Sequence, residues 1–140
     1  MIEAIEGILV GGIGLTTRAL TEAAEATDLT LRQWRMLVIV GDEDGVRIGE
    51  LGRRLGVAEP SASRLAHRLE HHGLVTVERD DADRRATNVR LSSRGRQTRD
   101  LVLDRRRGLI GHATEGSRAG ATGKEIRRLR LIADALAPFA

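Results

Sequence analysis

Two short helical patterns, over residues 49–56 and 59–72, meet at Gly56-Val57-Ala58. Only Gly73 then separates the second from a pair of alternating segments, Leu74–Glu78 and Thr87–Leu91. No other feature restricts the possible folds as much as this order. Pro60 suits a first helical turn, and Gly73 the position just past a helix end. Between the alternating segments runs Arg79-Asp80-Asp81-Ala82-Asp83-Arg84-Arg85-Ala86, a charged loop, and the whole reads as a hairpin. A helix pair followed at once by a charged hairpin is a winged helix-turn-helix. One helix of such a unit enters the major groove of DNA, and the wing reaches the neighbouring backbone or minor groove.

Helices flank this unit. Ile2, Ile5, Leu9, Ile13, Leu20 and Ala24 keep a three-to-four spacing that predicts a helix over 2–26. Gly7, Gly11, Gly12 and Gly14 oppose it by up to about 1 kcal/mol each relative to Ala, or else admit another helix at close range. Thr30 and Gln33 have capping-box spacing and open a second helix with the stripe Leu31, Trp34, Leu37 and Val38. The polar turn Gly41-Asp42-Glu43-Asp44-Gly45 ends it. Ser92 or Ser93 caps a long helix reaching about 112–115. Thr122 with Glu125 opens a last one through Ile126, Leu129, Ile132 and Leu136, ended by Pro138. The expected fold class is mainly α (α+β), one domain over 1–140. Its DNA-binding region spans 29–92, with the helix-turn-helix at 49–72 and the wing at 74–91. Residues 1–28 and 93–140 form a helical region. A chain this short buries a limited core, so long apolar helices at its ends point to a partner chain, a homodimer.

The net charge of +3 is unevenly spread. Residues 1–44 hold three Arg against eight acids, residues 45–99 twelve Arg against seven, and residues 100–140 eight basic groups against five. The positive field sits on the helix-turn-helix and hairpin, as phosphate binding requires. Nearly all basic residues are Arg, so an Arg-rich composition accounts for part of it.

Other classes fall away. With no cysteine, disulfides, thiolate metal sites and cysteine redox sensing are excluded. One Trp, one Phe and no Tyr leave little to stack on single strands. The uncharged apolar run Gly7–Thr17 has 11 residues, short of the about 20 of a membrane span, and Met1-Ile2-Glu3 is acidic where a secretory leader is basic. The expectation is a soluble, cytoplasmic protein with no membrane partner. Neither GxGxxG nor GxxxxGK followed by Ser or Thr occurs, and no strand-turn-helix elbow frames a serine, so neither an enzyme nor a cofactor is expected. His67 and His71 have metal-ligand spacing, but Glu70 and His72 fall on other faces of the helix, and no metal is expected.

On a helical wheel Ala62, Leu65, Ala66 and Leu69 share one side of the 59–72 helix. Pro60, Arg64, His67 and His71 centre on the other, flanked by Ser63 and Arg68. The first side should pack inward and the second meet DNA. Arg64 is the candidate base reader, since a guanidinium donates two hydrogen bonds to guanine O6 and N7. Ser61 and Ser63 lie in the first turns, where hydroxyls and free amides suit phosphate. His67 and Arg68 reach base or phosphate. Glu59 brings a negative charge near the groove and suits the positive end of the helix dipole instead. At the hairpin tip Arg84 and Arg85 are candidates for a narrow, electronegative minor groove, with Asp83 holding one of them in place.

Four stretches then resemble the MarR family of bacterial transcriptional regulators. They are Leu29–Leu37, Ile48–Val57, Pro60–Leu65 continuing through Leu69–Val75, and Asp83-Arg84-Arg85 followed by Leu91-Ser92-Ser93-Arg94-Gly95. The resemblance implies an obligate homodimer built from the first helix and the last two. It implies double-stranded DNA as partner, at a pseudo-palindromic operator, usually as a repressor. It also implies a small effector, often lipophilic or phenolic, bound between the dimer region and the reading unit. A regulator without an effector, a constitutive repressor or an activator, is the alternative. By position Arg85 matches the family's wing arginine, and Ser61, Ser63, Arg64 and Arg68 match recognition-helix positions in use. The sequence departs from the family in three ways. Ala58 stands where a Ser or Thr cap is usual, Glu59 where a basic or small residue is common, and the first helix is rich in glycine.

Overall fold

The computed structural model describes residues 2–23, 28–43, 45–79, 86–115 and 122–136. In chain order its elements are α1 (Ile2–Glu22), α2 (Leu31–Gly41), β1 (Val46–Arg47), α3 (Ile48–Leu55), α4 (Glu59–His71), β2 (Val75–Arg79), β3 (Thr87–Leu91), α5 (Ser93–Glu115) and α6 (Gly123–Leu136). The winged helix-turn-helix is present, as the sequence predicts. Its hairpin gains β1, which pairs antiparallel with β3 through Val46–Val89 and Arg47–Asn88 and makes the sheet order β1-β3-β2. Residues 24–26 of the predicted first helix, and Pro138 beyond the last, lie outside the described residues.

The main core lies where α2, α3, α4 and the sheet converge. Met36, Leu37 and Val40 of α2 meet Leu51 of α3, Ala62, Ala66 and Leu69 of α4, and Val75 and Val89 of the sheet. A second cluster joins Ala19, Leu20 and Ala23 to Trp34 and to Val102 of α5, and Leu29 touches both clusters. Because α2 runs between the two, it buries Gln33, Trp34, Met36, Leu37, Ile39 and Val40 rather than a single stripe. Leu31, expected in that stripe, is exposed. The capping box holds: Thr30 Oγ1 accepts from Gln33 N–H at 3.3 Å, and Gln33 Oε1 accepts from Thr30 N–H at 2.8 Å.

At the other end of the hairpin, Ser92 caps α5. Its Oγ accepts from Gly95 N–H at 2.9 Å and donates to Gly73 O at 2.7 Å. The first turn of α5 therefore lies directly on the corner between α4 and β2. The approach is so close that a Cβ at Gly95 would overlap the Leu74 carbonyl oxygen. Gly73 turns that corner with φ 69°, in the left-handed region that glycine enters at no steric cost.

The outer helices pack less. In α1 only Thr16, Ala19 and Leu20 are buried, while Ile2, Leu9 and Ile13 of the predicted stripe stay exposed. Along α6 no described side chain is buried. Its start follows the predicted capping box: Thr122 N–H donates to Glu125 Oε2 at 2.7 Å. That bond, with a second from the Thr122 hydroxyl, holds the Glu125 carboxyl below its ordinary value. No described helix is long and apolar enough to cross a membrane.

Candidate nucleic-acid interface

Helix α4 has the two faces that its sequence predicts. Ala62, Ala66 and Leu69 are fully buried and Leu65 partly so, while Pro60, Arg64, His67, Arg68 and His71 are exposed. Ser61 and Ser63 are half-buried at its start. The N-cap is Ala58, whose methyl side chain accepts no hydrogen bond, so the first turn has only its backbone closure, with Ser61 N–H donating to Ala58 O at 2.8 Å. Glu59 turns back toward the start of α3 and lies beside Gly49, near the positive end of that helix.

Two open clefts flank the helix. One, about 870 Å³, is lined by Arg47, Gly49, Glu59, Pro60, Ser63 and Thr87, between the first turn of α4 and the returning strand. The other, about 470 Å³, is lined by Thr30, Arg32, Ser61, Arg64 and Arg68. The predicted residues are thus divided: Ser63 faces the hairpin side, whereas Ser61, Arg64 and Arg68 share the α2 side. There they meet Arg32, which the helical wheel of α4 alone does not reveal. Its signal is its place two residues after the Thr30 cap, in the α2 turn that faces α4.

Charge pairing separates α3 from α4. Arg53 pairs with Glu50, and Arg54 with Glu43 at 2.5 Å. Among the described residues neither Arg64 nor Arg68 has an acidic partner, and Arg64 Nη2 leans over its own helix to donate to Ser61 Oγ at 2.9 Å. A cation without a counter-charge in its own chain loses no ion pair when it takes a phosphate. His67 is more committed, its Nδ1 lying 3.2 Å from Glu70 Oε2. Asp83, Arg84 and Arg85 lie outside the described residues.

A family model described as MarR family matches residues 27–86. The transcriptional activatory protein BadR of Rhodopseudomonas palustris is 33% identical over 85 residues, covering 59% of this chain and 49% of that protein. The match spans about half the length of the curated relatives. Among solved structures, Rv1404 from Mycobacterium tuberculosis superposes with a TM-score of 0.81 at 22% identity, covering 96% of this chain and 93% of the other. NadR in complex with 4-hydroxyphenylacetate superposes with a TM-score of 0.72 at 20% identity, covering 94% and 87%.

Proposed function

We propose that the chain is a transcriptional regulator of the MarR family, which binds a pseudo-palindromic DNA operator as a homodimer and represses transcription until a small molecule releases it. The observation that carries the DNA-binding reading is the outward face of α4, where Arg64 and Arg68 stand exposed beside Arg32 without acidic partners among the described residues. Arg64 reads a base. Ser61, Ser63, Arg68 and His67 hold phosphate or an adjacent base. From the wing, Arg84 and Arg85 enter the minor groove, with Asp83 as their support.

Support for the homodimer comes from the terminal helices: Ile8, Val10 and Ile13 of α1 and Leu129 and Leu131 of α6 are exposed in the single chain. In this reading residues 1–28 and 93–140 form the dimer region, and residues 29–92 the reading head. Two heads on one face of a duplex read half-sites about 10 base pairs apart, centre to centre. The effector has a physical support too. The buried Nε1–H of Trp34 lacks an acceptor among the described residues, and the Arg106 guanidinium lies 5.2 Å from that ring's centroid, where α2 meets α1 and α5. A phenolic or acidic ligand would supply the missing acceptor, and NadR, of the same fold, is solved with a phenolic acid.

Binding to the duplex that the protein enriches from random-sequence DNA tests the reading. Affinity should fall steeply with salt, and Arg64→Ala should cost about 1–3 kcal/mol on that duplex and much less on unselected DNA. Equal losses on both would make Arg64 a phosphate contact. The chain's one tryptophan reports the effector directly, since a ligand that accepts from Trp34 Nε1–H changes its fluorescence as DNA is released. BadR's name favours a second reading, activation, and a reporter gene read with and without the protein separates the two.

A further inference from the structure

Glu70 lies half-buried on the flank of α4, between the DNA-facing side and the sheet, and both its carboxylate oxygens are engaged. Oε1 accepts from the Val77 N–H of β2 at 2.9 Å, and Oε2 meets His67 Nδ1 at 3.2 Å. The second contact alone is an exposed pair three residues apart on one helix, of the kind that contributes little. The first joins two elements. β2 is the outer strand of the sheet, and outer strands leave backbone N–H groups without a ladder partner. At Val77 a carboxylate from the recognition helix takes that role.

The position of this bond matters. Between Glu70 and Val77 the chain turns through Gly73, the residue with the widest backbone freedom in the corner. Leu74 and Val75 anchor the near end of the strand in the core, and Val77 still packs partly against it. Past Val77, Glu78 and Arg79 are exposed. Glu70 thus grips β2 at that strand's last packed residue, across the turn where its angle to α4 is set. A five-residue strand spans about 17 Å, so a small rotation at the corner grows toward its far end.

We infer that Glu70 is a positioning residue: through the Val77 N–H it fixes the angle between recognition helix and wing, so that both meet DNA in one register. The inference rests on the DNA-binding reading above. Glu70 itself touches no DNA in this arrangement. It acts through β2, and through His67, whose ring its other oxygen orients on the DNA-facing side.

The test uses full-length protein and the duplex that the wild type enriches from random-sequence DNA. Glu70→Ala should weaken binding about tenfold, whereas Glu70→Gln, whose amide oxygen still accepts from Val77 N–H, should stay within about threefold. Arg85→Ala should cost clearly less in the Glu70→Ala background than in the wild type, because the hairpin is no longer held in register. Amide hydrogen exchange at Val77 should be protected in the wild type and in Glu70→Gln, and fast in Glu70→Ala. Additive losses, a Gln variant as weak as the Ala variant, or an unprotected Val77 amide in the wild type would each overturn the inference. Should Glu70→Ala fail to fold in a thermal melt, the Gln variant and wild-type exchange still decide. If Arg85→Ala costs the wild type nothing, the DNA reading of the wing falls and takes this inference with it. If it costs affinity but adds to the Glu70 loss, the inference alone falls.

Discussion

The head between α2 and β3 and the helices at the two ends are built by opposite rules. In the head, apolar side chains are used up: Met36, Leu37, Leu51, Leu69 and Val89 are all fully buried. Along α1 and α6 they are left over, with Val10 at 70% exposure and Leu131 at 63%. Glycine differs in the same way. A Cβ at Gly95 meets the Leu74 carbonyl, while a Cβ at Gly7, Gly11, Gly12 or Gly14 meets nothing within 4 Å. The head closes upon itself; the ends, among the described residues, leave apolar side chains and glycine backbone uncovered.

Four substitutions probe that contrast. Ile13→Asp should have the largest effect, because it places a charge on the open face of α1. In a two-fold dimer the change occurs twice, and each apolar side chain buried there contributes about 1.5–3 kcal/mol. Sedimentation should show monomers where the wild type is dimeric, with binding to the selected duplex lost at the same time. A wild-type monomer at micromolar concentration would sink the dimer. Next comes Gly95→Ala, expected to destabilise the head by about 1–3 kcal/mol through overpacking against Leu74, read as a lower melting temperature. An unchanged melt would mean that α5 can shift away at no cost.

Smaller gains are expected elsewhere. Ala58→Ser supplies the missing cap of α4 and should stabilise by about 1 kcal/mol, measured by denaturant titration. Gly11→Ala, in the open part of α1, should add about 0.5–1 kcal/mol from lower backbone entropy. A loss in its place would sharpen the comparison, because no described residue lies within 4 Å of a Cβ there, whereas a second chain in the proposed dimer could.

What the sequence disclosed follows the range of the forces involved. The Thr30–Gln33 and Thr122–Glu125 caps are local hydrogen bonds between residues three apart, so composition and spacing expose them. The faces of α4 follow from periodicity alone. β1 is two residues long and exists only because β3 returns beside it, so no local pattern marks it. The stripe of α2 is read too narrowly for a similar reason: Trp34, Leu37 and Val38 do pack inward, but a helix between two clusters has no polar side of ordinary width. Glu70 reads as turned away from the DNA-facing side, which holds on the wheel; the strand that gives its position meaning is brought there only by the fold. Arg32 joins Arg64 and Arg68 across two helices that are separated in sequence. The hairpin tip, Asp83-Arg84-Arg85, rests on its sequence alone.

The missing Cβ of Gly95 also fixes how motion travels. With Ser92 bonded to Gly73 O and the α5 backbone resting on Leu74, the joint between the long helix and the corner behind α4 has no slack. A hinge absorbs displacement; a joint without play transmits it. Tilting the far end of α5 would therefore swing α4 as a rigid arm, and in the proposed dimer a small shift near Trp34 and Arg106 would reappear as a change in the spacing between the two heads rather than as a distortion within either one.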